Sequence, residues 1–196
     1  KDSLIVRNEI EVIKLDKFII NKLIANKLCN LSTNPMNLFI FGRKGVGKYT
    51  LCRFYINKIL NYESNLQELT FTNDNKELIY YYSKNHYEII INKYNFNDIH
   101  LFINFFKKMC GENTTYSKIK NIIVLRNFHI IKQNNIKYLR NIIEKYSINN
   151  IFIFISNNTI PNLLKGFLTL IRVPKPNFKE MKILCNKICK QENYSI

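Results

Sequence analysis

A chain of 196 residues, 46% of them hydrophobic, is long enough to close a buried core and too apolar to be a disordered tail. Its 30 Lys and Arg against 14 Asp and Glu leave a net charge of +16, which favours a polyanionic partner, nucleic acid before an acidic membrane surface, although an abundance of Asn, Ile, Lys and Tyr makes compositional bias an equal explanation. There is no apolar run of the roughly 18 residues a membrane span needs, no signal peptide, and no CxxC pair among five scattered cysteines, so the expectation is a soluble intracellular protein with reduced thiols.

Near the start, Val12, Leu15, Phe18, Ile19, Leu23, Ile24 and Leu28 recur at spacings of three and four and predict an amphipathic helix, broken between Ser32 and Pro35. Phe39-Ile40-Phe41 reads as a buried strand, and a helix follows from about Lys48 to Leu60 with Leu51, Phe54, Tyr55, Ile59 and Leu60 inward. The polar stretch 61–86 contains Leu69 to Phe71 and Leu78 to Tyr82, short strands of an edge or a hairpin. Tyr87 to Asn92 is a firmer strand, then Asn97-Asp98 offers an N-cap to a helix with Ile99, Phe102, Ile103, Phe106 and Met109 on one stripe, ending at Gly111. After a loop over 112–118 come a strand at Ile119 to Leu125, a helix at Gln133 to Tyr146 and a strand at Ile151 to Ile155 whose unbroken apolar character suits a sheet covered on both faces. A helical turn at Pro161 to Leu164 and a last strand at Leu168 to Val173 precede Pro174 and Pro176. A final helix, Phe178 to Gln191, is expected to turn Met181, Leu184, Cys185, Ile188 and Cys189 inward. Strands alternating with helices give an α/β class with a mainly parallel sheet.

Three of the five glycines, Gly42, Gly45 and Gly47, fall within six positions at the end of the first core strand. The spacing from Gly42 through Gly47 to Lys48 is that of a Walker A loop, in which backbone N–H groups wrap phosphate oxygens and the lysine reaches the outer phosphates. The helix behind it adds its positive end. The hydroxyl that normally follows the lysine to hold Mg²⁺ is replaced by Tyr49, with Thr50 one place later and about 100° around the helix.

The order of these pieces resembles the AAA+ core of a clamp loader small subunit of the replication factor C type. The resemblance rests on Gly42 to Thr50, on Leu139-Arg140-Asn141-Ile142-Ile143-Glu144-Lys145-Tyr146, on Phe152-Ile153-Phe154-Ile155-Ser156-Asn157, and on Ile171-Arg172-Val173-Pro174-Lys175-Pro176. It covers the chain from about residue 15 onward and matches 61–86 poorly. It implies a nucleotide-binding core over 1–174 with five strands, and the start of a helical lid over 175–196. It also implies ATP held by Gly42, Gly45, Val46, Gly47, Lys48, Tyr49 and Thr50, with Asn157 as the sensor asparagine. The implied partners are other clamp loader subunits, a sliding clamp and primer-template DNA, at a site of replication in a nucleus or a cytoplasmic viral factory.

Three departures bear on activity. The strand Asn121 to Leu125 ends in Arg126-Asn127 where the family's Walker B carboxylates stand, and a cation there repels Mg²⁺, so hydrolysis is expected to be poor and the metal is in doubt. Lys165-Gly166-Phe167-Leu168 takes the place of the Ser-Arg-Cys motif whose arginine serves a neighbour's site. Asn141 replaces the second arginine of the Leu-Arg-Arg helix. His86, His100 and His129 are scattered and read as surface or packing residues. Lys107, Lys108, Lys118, Lys120, Lys132 and Lys137 could form a basic face toward DNA. The alternatives are another P-loop NTPase, such as a helicase loader or nucleotide kinase, and a nucleic-acid-binding scaffold without nucleotide.

Overall fold

The structure, a computed structural model, describes residues 18–73, 76–91, 99–111 and 120–191. The elements run α1 (Lys22–Leu31), β1 (Leu38–Phe41), α2 (Lys48–Leu60), β2 (Gln67–Asn73), β3 (Lys76–Ser83), β4 (His86–Ile90), α3 (Ile99–Gly111), β5 (Asn121–Arg126), α4 (Gln133–Tyr146), β6 (Asn150–Ser156), β7 (Thr169–Arg172) and α5 (Phe178–Gln191). Short 3₁₀ turns at Phe128–Ile130 and Asn162–Leu164 follow β5 and precede β7.

The strands form one sheet in the order β2-β3-β4-β5-β6-β1-β7. From β4 to β7 every pairing is parallel, so the expected five-stranded core is there. The sheet as a whole has seven strands, because the antiparallel pair β2 and β3 extends the β4 edge. That pair contains the short edge or hairpin strands expected at Leu69 to Phe71 and Leu78 to Tyr82, and extends beyond them into polar residues that are mostly exposed or half-buried.

Alternation along the strands divides the core into two layers. Phe39, Ile123, Leu125, Phe152 and Phe154 pack against α3 and α4, whereas Leu38, Ile40, Ile122, Val124, Ile153 and Ile155 pack against α1 and α2. Strand β6 is buried at all seven positions, as an unbroken apolar strand at the centre of a covered sheet must be. Phe152 is fully enclosed, and cutting it to Ala is expected to cost about 3–5 kcal/mol.

Two expectations fail at the ends. The first helix starts only at Lys22, because Asn21 takes a left-handed backbone (φ 61°); Leu23, placed inward by periodicity, is 83% exposed, and Ala25 and Leu28 carry the buried face. In α5 the apolar stripe is not enclosed: Met181 and Ile188 are largely exposed, Cys185 is exposed, and Leu184 and Cys189 are half-buried. The Asn97-Asp98 cap, the 112–118 loop with Lys118 and the residues before Phe18 lie outside the described residues. None of the described helices is long and apolar enough to cross a membrane.

Candidate nucleotide site

The loop between β1 and α2 crosses the carboxyl end of the parallel strands, where ligands of open α/β sheets bind. Gly42 passes so close to the strand exit at Val173 that a Cβ would collide with the Val173 carbonyl. The Val173 N–H donates to the Phe41 carbonyl at 2.7 Å, which locks this approach. Gly45 and Gly47 have φ of +83° and +86°, a region that turns the backbone N–H groups inward and that L side chains rarely tolerate. Asn21 fastens the loop from outside by donating Nδ2–H to the Val46 carbonyl at 3.0 Å. Helix α2 then begins at Lys48 with no acidic residue in its first turn, leaving its N-terminal amides and positive dipole end free for an anion.

Cavities lie on both sides of this loop. One, of about 330 Å³, is mainly apolar and lined by Phe18, Ile19, Val46, Leu51, Met181 and Leu184, with Gly45, Gly47 and Thr50 at its edge. The other, of about 560 Å³, is lined by Lys44, Lys48, Tyr49, Arg126, His129 and Asn157, together with Gly45, Gly47, Thr50 and Asn127. Among the described residues no carboxylate lines it. An apolar chamber joined through a glycine loop to a cationic cleft is the shape of a nucleotide: base on one side, phosphates on the other.

Within the cleft, the Lys48 ammonium donates to the Gly42 carbonyl (2.8 Å), the Arg43 carbonyl (2.6 Å) and Asn157 Oδ1 (3.0 Å), using all three of its donors. Burial lowers its pKa. Asn157, at the end of β6, is therefore in contact with the loop lysine across 109 residues of sequence. Its backbone N–H donates to His129 Nδ1 at 3.4 Å, and its Nδ2 stands 3.2 Å from His129 Nε2. Burial, and then the nearby Lys48 charge, lower the His129 pKa. His129, read from the sequence as a packing residue, thus belongs to the cleft.

Tyr49 and Arg126, which replace the metal-holding residues of the resembled family, are organised around a buried carboxylate. Tyr49 turns its hydroxyl to Glu88, 3.1 Å from both carboxylate oxygens, and the Arg126 guanidinium lies 3.8 Å over the Tyr49 ring. Glu88 is fully buried on β4 and is also met by His86 Nε2 at 3.3 Å, Arg126 Nη1 at 3.6 Å and Arg53 Nη1 at 3.9 Å. Arg53 donates as well to the Ser64 carbonyl. Burial pushes the Glu88 pKa up, but His86 first, and then Arg126 and Arg53, outweigh it and hold the carboxyl below its ordinary value. Burial lowers the His86 pKa against the pull of Glu88, so this imidazole is neutral at pH 7. Burial and then Glu88 raise the Tyr49 phenol far above its usual value, which keeps it a donor.

Mg²⁺ does not fit these residues. The hydroxyl after the lysine is committed to Glu88, the strand end offers a guanidinium, and the Glu88 carboxylate is itself enclosed by donors. Among the described residues no group of three His, Cys, Asp or Glu could hold an ion.

Sequence reasoning missed Glu88 and Arg53, although a signal was present. Tyr49 and Arg53 are four apart on α2, and His86 and Glu88 are two apart on β4, so each pair shares a face, and polar pairs on buried faces imply partners. At the Lys165 to Leu168 segment, the Arg140 guanidinium lies 4.9 Å over the Phe167 ring, so an aromatic contact fills the place where an arginine finger was sought. Lys107, Lys108, Lys120, Lys132 and Lys137 are all exposed, on α3, α4 and the segments leading into β5 and α4.

No protein-family model matches the chain, and no curated protein matches it in sequence. Solved structures do match its fold. Domain III of the Thermotoga maritima replication initiation protein DnaA is 15% identical over 93% of this chain and 75% of its own, with a TM-score of 0.55. AMPPCP-bound DnaA from Aquifex aeolicus is 15% identical over 93% of this chain and 56% of its own (TM-score 0.54). The Aeropyrum pernix ORC1 protein in complex with DNA is 11% identical over 87% of this chain and 49% of its own (TM-score 0.55). This chain spans about half the length of the latter two. The fold is therefore the one these structures share, a mostly parallel sheet flanked by helices with the glycine loop at the carboxyl end of its strands.

Proposed function

We propose that the chain is an adenine-nucleotide-binding subunit of a DNA clamp loader of the replication factor C type, holding ATP as a structural ligand and not hydrolysing it efficiently. The observation that carries the nucleotide reading is the pair of cavities meeting at Gly45, Gly47 and Thr50, apolar on one side and lined only by cations and neutral groups on the other. An AMPPCP-bound relative in fold supports the choice of an adenine nucleotide. The absence of any acid in the cleft leaves no group to orient a metal or polarise an attacking water, which supports poor hydrolysis.

The clamp loader assignment rests on the motif order from Gly42 to Pro176, and the net charge of +16 supports contact with DNA phosphates. Partners are other loader subunits and a sliding clamp, and the role is positional. Titration of the chain with a fluorescent ATP analogue is expected to show saturable binding without turnover. Lys48→Ala should weaken it by at least about tenfold, the size of a charge-assisted hydrogen bond to phosphate. Rapid hydrolysis by the isolated chain sinks the inactive-site reading. Affinity purification from the source cell that recovers no loader subunits sinks the clamp loader reading and leaves nucleotide binding standing.

A further inference from the structure

We propose that Arg126 stands in for the divalent cation, so that this site takes a nucleoside triphosphate free of Mg²⁺. The inference rests on the nucleotide-binding reading above and specifies the form of the ligand.

A P-loop that binds metal-bound nucleotide uses the residue after its lysine and a carboxylate at the neighbouring strand end as the metal's protein partners. Here those positions are Tyr49 and Arg126, and they are stacked on each other at 3.8 Å. The guanidinium is anchored beneath by Glu88 Oε2, 3.6 Å away, and Tyr49 is anchored by the same carboxylate. Cation, aromatic ring and carboxylate thus form one built unit at the metal's usual place. One face of it opens on the cleft, since the Arg126 side chain keeps 31% of its exposure while Glu88 keeps 1%.

The charges point the same way. Glu88 faces two guanidiniums, Arg53 and Arg126, and with His86 neutral the carboxylate can offset only one of them. Arg53 is buried to 5% of its side-chain surface, so the surplus positive charge is presented by Arg126 to the cleft. There it joins Lys44 and Lys48. A guanidinium offers several N–H donors in a plane that matches phosphate oxygens and stays charged at any physiological pH, so it can neutralise a phosphate as an ion would. An incoming Mg²⁺ would instead meet this fixed cation at a few ångströms without a carboxylate to offset the repulsion.

The test is calorimetric titration of the full chain with ATP in excess Mg²⁺ and in excess EDTA, alongside Arg126→Ala and the double variant Tyr49→Ser/Arg126→Asp. The expected result is an affinity in EDTA at least equal to that in Mg²⁺. Arg126→Ala should lose about tenfold or more in both buffers. The double variant, which restores a hydroxyl and a carboxylate, should bind only when Mg²⁺ is supplied. Thermal melts identify any variant that fails to fold, and the wild-type comparison in the two buffers stands without them. Binding by the wild type that requires Mg²⁺ overturns the inference and leaves the nucleotide reading intact. Equal affinity of folded Arg126→Ala and wild type in EDTA also overturns it. No binding in either buffer removes both.

Discussion

The two chambers beside the glycine loop are built by different means. The apolar chamber is assembled from segments far apart in the chain, Phe18 to Asn21 before the first strand and Met181 with Leu184 on α5, and among the described residues no charged side chain lines it. The cationic cleft is built from residues at the ends of β1, β5 and β6, and its charges are held in place by a buried polar network on α2 and β4. The first depends on how α5 lies over the loop and tolerates adjustment. The second depends on electrostatic balance and does not.

That difference is tested most severely at Glu88. Glu88→Ala removes the only anion among the described residues that pairs with Arg53 and Arg126 and leaves both guanidiniums beside neutral His86, so a loss of about 3–5 kcal/mol in unfolding free energy is expected by urea titration. A loss of less than about 1 kcal/mol, the scale of an exposed ion pair, contradicts the network described here. A similar substitution in the apolar chamber should act on binding and leave stability nearly unchanged. Met181 is 41% exposed, so Met181→Asp costs little folding energy but sets a carboxylate against the base. ATP affinity should fall by about tenfold while inorganic triphosphate affinity holds, given roughly 1.5–3 kcal/mol for a fully buried apolar side chain and less for this one. Equal losses for both ligands would move the base elsewhere.

The contrast also marks what could be read from sequence. The strand and helix order from β4 through β7 was legible because continuous apolar runs and 3.6-residue stripes report burial directly, and α2 begins and ends at Lys48 and Leu60 as its pattern predicts. The loop was legible because Gly42, Gly45 and Gly47 are concentrated where backbone conformation demands them. Asn157 could be singled out from its strand-end position and a family resemblance, but its contact with Lys48 could not. Partnerships that depend on tertiary placement were illegible. Glu88 is an unremarkable acid in Tyr87-Glu88-Ile89, and nothing local says that it will meet Tyr49, Arg53 and Arg126. The chamber between Phe18 and Met181 joins residues more than 160 apart, which no periodicity encodes. Hairpin β2–β3 was legible at Leu69 to Phe71 and Leu78 to Tyr82, but its full length was not, because its end residues are solvated or half-buried and polar.

The smallest expected effect concerns the two histidines and separates the network from the cleft by pH. His86 has its folded pKa lowered by burial, so between that value and the ordinary value near 6.5 the unfolded chain binds more protons than the folded one. Its contribution to stability is complete above about pH 6.5 and is lost as pH falls through the folded pKa. Glu88, also lowered, adds loss in the same direction only below the ordinary carboxylate range near 4.5. The melting temperature should therefore begin to decline just below pH 6.5, and His86→Gln should shrink that first step to the part contributed by His129, whose pKa is also lowered, while keeping the acid step. His129 responds to ligand with the opposite sign. Its pKa is lowered by burial and by Lys48, and phosphate in the cleft offsets the Lys48 charge and favours the imidazolium. Binding should then take up a proton at His129, so relative to His129→Gln the wild type should gain ATP affinity severalfold as pH falls below about 6.5. Parallel pH profiles for wild type and His129→Gln would place His129 out of reach of the phosphates. A decline in melting temperature together with tighter binding over the same pH interval is the signature that distinguishes a buried network from an open cleft only a few residues away.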